Sequence, residues 1–159
     1  IYRHRLIHGE VHDENTKLMG GVSGHAGVFS TAEDIAHYAQ MLIDGGVWNG
    51  KRLYKESQII EFTTLQNLPK GSDFALGWDT PSQNGKSNAG DYFTNGSYGH
   101  LGFTGTSIWI DPNQEIILIL LTNRVHPSRK GDEGSKEMNG IRRKFYNKVM
   151  EQLLIGAKG

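Results

Sequence analysis

Six consecutive aliphatic residues, Ile116-Ile117-Leu118-Ile119-Leu120-Leu121, constrain the fold of this chain more than any other feature. The run is strand-sized, well short of the ~20 apolar residues needed to cross a bilayer. A strand with one face in water alternates apolar and polar residues. This one does not, so both of its faces must be covered. It follows the tetrapeptide Asp111-Pro112-Asn113-Gln114, whose proline at the second position suits a type I turn. Residues 102–110 and 115–122 therefore read as an antiparallel hairpin, with the second strand central and helices on each side of it.

The covering helices are legible as well. Ser30 or Thr31 can cap a helix whose first turn holds Glu33 and Asp34, favourable at the positive end of the dipole. Ile35, Tyr38, Ala39 and Leu42 recur at helical spacing as its buried stripe, and Gly45-Gly46 ends it. Asn49-Gly50 marks a tight hairpin turn, and a second helix is expected over residues 55–65 with Ile59, Ile60 and Phe62 apolar. Residues 74–78 read as a short strand, residues 80–97 as a long polar surface loop and residues 128–136 as a charged loop. A final helix carries Ile141, Phe145, Val149 and Leu153 at four-residue spacing, a stripe that should lie on the hairpin. The fold class is α+β, an antiparallel sheet flanked by helices.

Composition narrows the functions. Lys plus Arg and Asp plus Glu each total 17, and without a basic excess no nucleic-acid partner is expected. Arg142, Arg143 and Lys144 read as a solvated face of the final helix. There is no cysteine, which excludes disulfides and thiolate metal sites. No cofactor, metal or membrane span is expected. The chain opens at Ile1 without an initiator methionine and reads as a piece of a longer product. Glycine numbers 21, about twice the usual share, and is concentrated over residues 20–27 and 96–105. Neither segment has the Gly-Lys-Ser/Thr of a phosphate loop or a Gly-x-Gly-x-x-Gly turn.

The stretch Tyr98-Gly99-His100-Leu101-Gly102-Phe103-Thr104-Gly105-Thr106, leading into Ser107-Ile108-Trp109-Ile110-Asp111-Pro112, resembles the third active-site motif of serine β-lactamases and penicillin-binding proteins in its His-x-Gly form. Gly20-Gly21 through Phe29-Ser30-Thr31-Ala32-Glu33-Asp34-Ile35-Ala36 resembles the same family's helix entry. Leu76-Gly77-Trp78 resembles its Gly-Trp segment, and residues 117–123 resemble the strand after the third motif. Each match is weak alone. Their order is specific.

The resemblance implies a β-lactamase/transpeptidase-like fold, with residues 1–159 its C-terminal part. It implies catalytic roles for His100, Gly102 and Phe103. His100 would face the substrate carboxylate or leaving group, Gly102 would let substrate lie against the strand, and the Phe103 N–H would be half of an oxyanion hole. Leu101, Thr104 and His25 are the implied substrate-binding residues, although His25 between two glycines is equally explained as a loop histidine bonded to backbone. A histidine in place of the more usual lysine points to an esterase or peptidase relative. The substrate would be a small molecule or peptidoglycan-like peptide, and the location extracytoplasmic.

Two motifs of that family are absent. No serine has Lys three residues on, and no tyrosine has Asn two residues on. Ser82-Gln83-Asn84 fits Ser-x-Asn formally but falls in the polar loop. The nucleophile-bearing N-terminal part of the domain is therefore expected to be missing, the isolated chain inactive, and self-association through exposed core possible. The alternatives are a non-catalytic module binding cell-envelope glycan or peptide, or a scaffold domain of a larger hydrolase. His8, Glu10, His12 and Asp13 have some metal-ligand character, but turn and loop hydrogen bonding is the simpler reading. His126-Pro127-Ser128 reads as a turn, and His4 and His37 as surface residues.

Overall fold

A computed structural model describes residues 5–82 and 87–156. His4, and Gln83 and Asn84 of the Ser-x-Asn match, lie outside the described residues. The chain divides into two units, Ile1–Thr31 and Ala32–Gly159. In the first, α1 (Glu14–Leu18) is capped by Asp13, whose carboxylate accepts from the Thr16 N–H at 2.8 Å.

In the second unit α2 (Ala32–Ile43) carries Glu33 and Asp34 in its first turn, as its sequence suggests. Ala39, Met41 and Leu42 are its buried residues, whereas Tyr38 is 48% exposed, so the buried stripe is rotated toward Met41. Gly45 and Gly46 end the helix. The two-residue strands β1 (Val47–Trp48) and β2 (Lys51–Arg52) follow, joined by Asn49 and Gly50, both at positive φ as a primed hairpin turn requires. Helix α3 (Glu56–Thr63) is shorter than the sequence suggests and buries no residue. Ile60 and Phe62 are more than half exposed.

Among the described residues the main sheet has three strands, β3 (Tyr98–Leu101), β4 (Ser107–Asp111) and β5 (Ile116–Leu120), antiparallel in the order β3-β4-β5. Helix α4 (Gly131–Gly156) closes the chain and takes in residues 131–136 of the expected charged loop. The sheet is covered on both faces. On one, Tyr98 and Ile110 join Ala39, Met41 and Leu42, with Ile108 and Ile117 packed against them. On the other, Trp109 joins Tyr146, Met150, Phe93 and Ala89, with Ile116, Leu118 and Leu120 against them. Odd and even positions of β4 and β5 thus serve opposite faces, which is why the aliphatic run has no polar alternation. Its expected central place is corrected: among the described residues β4 is central and β5 lies at an edge of this sheet.

Four further expectations are revised. Residues 102–106 are a turn rather than strand, so β3 and β4 are separate strands. Residues 74–78 make a tight turn, with bridges from Phe74 to Asp79 and from Asp79 to Gly99, in place of a strand. The stretch before β3 is irregular but not a surface loop: Ala89 and Phe93 are core, and Asp111 accepts from the Thr94 N–H at 2.8 Å and the Thr94 hydroxyl at 2.9 Å. Finally, the buried stripe of α4 is Met138, Arg142, Tyr146 and Met150, one position on from the all-apolar stripe. Ile141 and Leu153 are each 46% exposed. The Ser107 hydroxyl of β4 and two carbonyls of the 102–106 turn lie there, and Tyr146 and Arg142 respectively meet them. Among the described residues no helix is long and apolar enough to cross a membrane.

Candidate functional site

Strand β3 is held on both edges. Gly99 exchanges backbone hydrogen bonds with Asp79 at 2.8 and 2.9 Å, and on the other side pairs with Trp109. A Cβ at residue 99 would lie 2.3 Å from the Ile108 carbonyl and 2.6 Å from the Trp109 ring, so only glycine lets that indole close over the strand. Tyr98 is buried edge-on to Trp78 at 5.3 Å. Two residues further along, His100 pairs with Ile108 and is exposed, and Leu101 beside it is half-buried.

The chain then reverses. The Gly102 N–H donates to the Thr106 carbonyl at 2.8 Å, and the Gly105 N–H to the Gly102 carbonyl at 3.0 Å. A Cβ on residue 102 would fall 2.1 Å from the Thr106 hydroxyl. The glycine of His-x-Gly thus has an internal reason in addition to any contact with a ligand. Phe103 and Thr104 sit at the turn, Phe103 59% exposed.

Two arginines that sequence reasoning did not select as site residues hold this turn. Arg124 donates from Nε to the Phe103 carbonyl at 2.6 Å, gives its backbone N–H to the Thr104 carbonyl at 2.8 Å, and lays its guanidinium 4.4 Å from the Phe103 ring centroid. Arg142, expected on a solvated face, is 4% exposed and donates from Nη2 to the carbonyls of Gly102 at 2.7 Å and Thr106 at 2.8 Å. Its sequence neighbour Arg143 pairs with Asp91. Asp79 is a third addition. Burial pushes its carboxyl above the usual range, and the nearby charges of His100 and Arg142 work against that rise. The signals for these residues were present but quiet: Asp79 follows Gly77-Trp78, Arg124 ends Leu-Thr-Asn-Arg, and Arg142 falls on the i, i+4 series with Tyr146 and Met150.

His100, Leu101, Gly102, Phe103 and Thr104 therefore share one strand end and one turn. An exposed imidazole, able to accept or donate a proton, adjoins backbone whose carbonyls are fixed by two guanidinium groups. That combination suits chemistry at a carbonyl group, where proton transfer and a fixed N–H are both of use.

His25 belongs to the first unit and has its own setting. Its Nδ1 lies 2.7 Å from the Ser23 hydroxyl, and its Nε2 lies 3.0 Å from the Asp13 carboxylate and 3.2 Å from the Thr16 hydroxyl. The Thr16 N–H first, and His25 second, hold Asp13 down at about 2. Glu10 is likewise held at about 2 by hydrogen bonds from Arg5 and Lys17. The acids of the His8–Asp13 cluster are thus engaged locally, and among the described residues no group of three or more His, Cys, Asp or Glu could hold a metal ion.

Comparison with known proteins places these features in context. A profile of the Beta-lactamase family matches residues 2–139. Two proteins carrying the provisional description D-alanyl-D-alanine carboxypeptidase, from Salmonella agona (strain SL483) and Salmonella gallinarum (strain 287/91 / NCTC 13346), are each 37% identical over 129 residues. The aligned region covers 78% of this chain, and the chain spans 29% of the length of these curated relatives. A crystal structure of a beta-lactamase from Mycobacterium bovis superposes with a TM-score of 0.58 at 22% identity, covering 80% of this chain and 46% of that one. That likeness is one of fold, and it agrees with the α+β arrangement of antiparallel sheet and helices.

Proposed function

The chain belongs to the Beta-lactamase family, and from that premise we propose that its β3 end and following turn form one wall of a serine acyl-transfer site. In this reading a serine from residues other than these 159 attacks the carbonyl carbon of an ester, amide or β-lactam. A new C–O bond forms, and the carbonyl oxygen becomes a tetrahedral oxyanion. The Phe103 N–H stabilises that oxygen, and His100 helps pass the serine proton to the leaving group. Collapse expels the leaving group, and water then hydrolyses the acyl-serine.

Leu101, Gly102 and Thr104 border the acyl chain in this account. His25, in the first unit, has both ring nitrogens engaged there, by Ser23 and by Asp13. The descriptions of the Salmonella relatives support a D-alanyl peptide, and hence a peptidoglycan-like substrate met outside the cytoplasm.

One observation carries the reading. His100 is exposed near the end of a strand that is otherwise buried or half-buried, with only Leu101 between it and a turn whose carbonyls are pinned. In the full-length protein, His100→Ala is expected to lower kcat/KM for an activated ester or a D-alanyl peptide by about 10²–10⁴-fold, with the fold intact by circular dichroism. A change of less than about threefold, against the loss expected of a group that transfers protons, would overturn the proposal. Ligand retention without turnover in the unaltered protein would favour a binding module instead.

A further inference from the structure

Arg142 has no role in the reaction above, yet it is the most deeply placed cation beside it. It lies on the buried stripe of α4, and its Nη1 is braced by the Asn139 side-chain oxygen at 3.0 Å. One of its nitrogens, Nη2, binds both the Gly102 carbonyl and the Thr106 carbonyl. Those are the same two carbonyls that accept the backbone hydrogen bonds closing the turn.

The consequence follows from peptide geometry. The Gly102 carbonyl and the Phe103 N–H belong to one planar trans peptide, so they point in opposite directions. Fixing the carbonyl toward Arg142 fixes the N–H away from it. The Gly105 N–H is the other anchor of this carbonyl; with Arg142 gone it alone would oppose rotation of the peptide unit, because glycine on the N-terminal side opposes that rotation less than any other residue. Stability alone is a poor reason for this arginine. Its Nε is buried with no acceptor among the described residues, which is a cost, and an apolar side chain of similar length would avoid it.

We propose that Arg142 is a positioning residue that holds the 102–103 peptide in one orientation and so aims the Phe103 N–H at the developing oxyanion; the oxyanion part rests on the function proposed above. Arg142 touches no reacting atom. It acts through the Gly102 carbonyl, while Arg124 secures the next two carbonyls.

The test uses the full-length protein with Arg142→Met, Arg142→Lys, Asn139→Ala and, as a control, Tyr146→Phe, which breaks the buried 2.7 Å contact between Tyr146 and Ser107 without touching the turn. Two readouts are taken. The first is kcat and KM for an activated ester, per active site titrated with a fluorescent penicillin, together with inhibition by a boronic acid whose tetrahedral adduct places an oxygen in the oxyanion position. The second is amide hydrogen exchange of residues 102–106 against that of β5.

Arg142→Met is expected to lower kcat by about 10²-fold, the scale of losing one oxyanion donor. Boronate affinity should fall in parallel and KM should change little. Arg142→Lys should fall between, since an ammonium is a point donor without the planar fork. Exchange in the turn should quicken about tenfold or more while β5 is unchanged, as a local opening predicts. Tyr146→Phe should show neither effect. If Arg142→Met does not fold, Asn139→Ala keeps the guanidinium and should move both readouts in the same direction, less far. Unchanged kcat per titrated site together with unchanged turn exchange would overturn the inference and leave Arg142 a packing residue. If the unaltered protein does not acylate, the proposed function fails separately, and the exchange experiment alone decides whether Arg142 holds the peptide.

Discussion

Replacing Asp111 tests how the loop before β3 and the hairpin are locked together. Asp111 closes β4 with no exposure, and its carboxylate accepts five hydrogen bonds: from Thr94 N at 2.8 Å, Thr94 Oγ1 at 2.9 Å, Asn113 N at 3.0 Å, Gln114 N at 3.2 Å and Gln114 Nε2 at 2.7 Å. Burial on its own would push this carboxyl up. The hydrogen bonds, led by the Thr94 N–H and the Gln114 side chain, outweigh it and leave it below the usual range. A hydrogen bond to a charged group contributes about 1.5–3 kcal/mol, and an orphaned buried donor costs about 1–3 kcal/mol. The five are not additive, because the exposed Asn113 and the half-buried Gln114 can turn to water. Asp111→Ala is therefore expected to cost about 3–5 kcal/mol, the range for removing one partner of a buried charged contact. Asp111→Asn keeps the volume but sets an amide NH₂ against donors, and is expected to cost about 2–4 kcal/mol. Thr94→Val, which removes one hydroxyl, should cost about 1 kcal/mol. Urea unfolding of the full-length protein, followed by tryptophan fluorescence, measures all three. If Asp111→Ala falls within about 0.5 kcal/mol of the unaltered protein, a surface-like value, the anchoring argument is wrong.

Two further outcomes are expected. Gly99→Ala would drive a methyl group into the Ile108 carbonyl and the Trp109 ring, and overpacking of that kind costs about 1–3 kcal/mol; unfolding curves with an unchanged midpoint would refute the close-approach reading. In the first unit, Glu10 and Asp13 have folded values of about 2, below their ordinary 4.5 and 3.8. Lowered acids stabilise the fold above the ordinary value and cease to as pH falls through the folded one. Amide protection over residues 5–27 should therefore decline between pH 4.5 and pH 2, and equal protection at pH 5 and pH 2 would contradict the pairing.

The sequence was most legible where local pattern and burial agree. The aliphatic run of β5 correctly implied cover on both faces, because side-chain alternation is a local property. Its place in the sheet was not legible, since strand neighbours are chosen by long-range pairing. The stripe of α4 was misplaced by one residue for a physical reason: hydropathy counts Arg142 and Tyr146 as outward-facing, while two carbonyls of the 102–106 turn and the Ser107 hydroxyl of β4 accept or share their hydrogen bonds. Polar composition likewise disguised the stretch from residue 87 to residue 97, whose serine, asparagine and glycine serve a packed segment anchored on Asp111 and Asn147. On α3, Ile60 and Phe62 show that helical spacing fixes which face is apolar without fixing what covers it. As for the candidate site, the motif located the strand and the turn, but Asp79, Arg124 and Arg142 required coordinates, being 21 to 42 residues away from His100.

Under the proposed function, this chain supplies the histidine and oxyanion side of an acyl transfer whose serine lies elsewhere. Peptide mapping by mass spectrometry, after incubating the full-length protein with a fluorescent penicillin, addresses it directly. One adduct per molecule is predicted, on a serine followed three residues later by lysine and outside these 159 residues. An adduct on any serine within them, or none at all, would contradict the account.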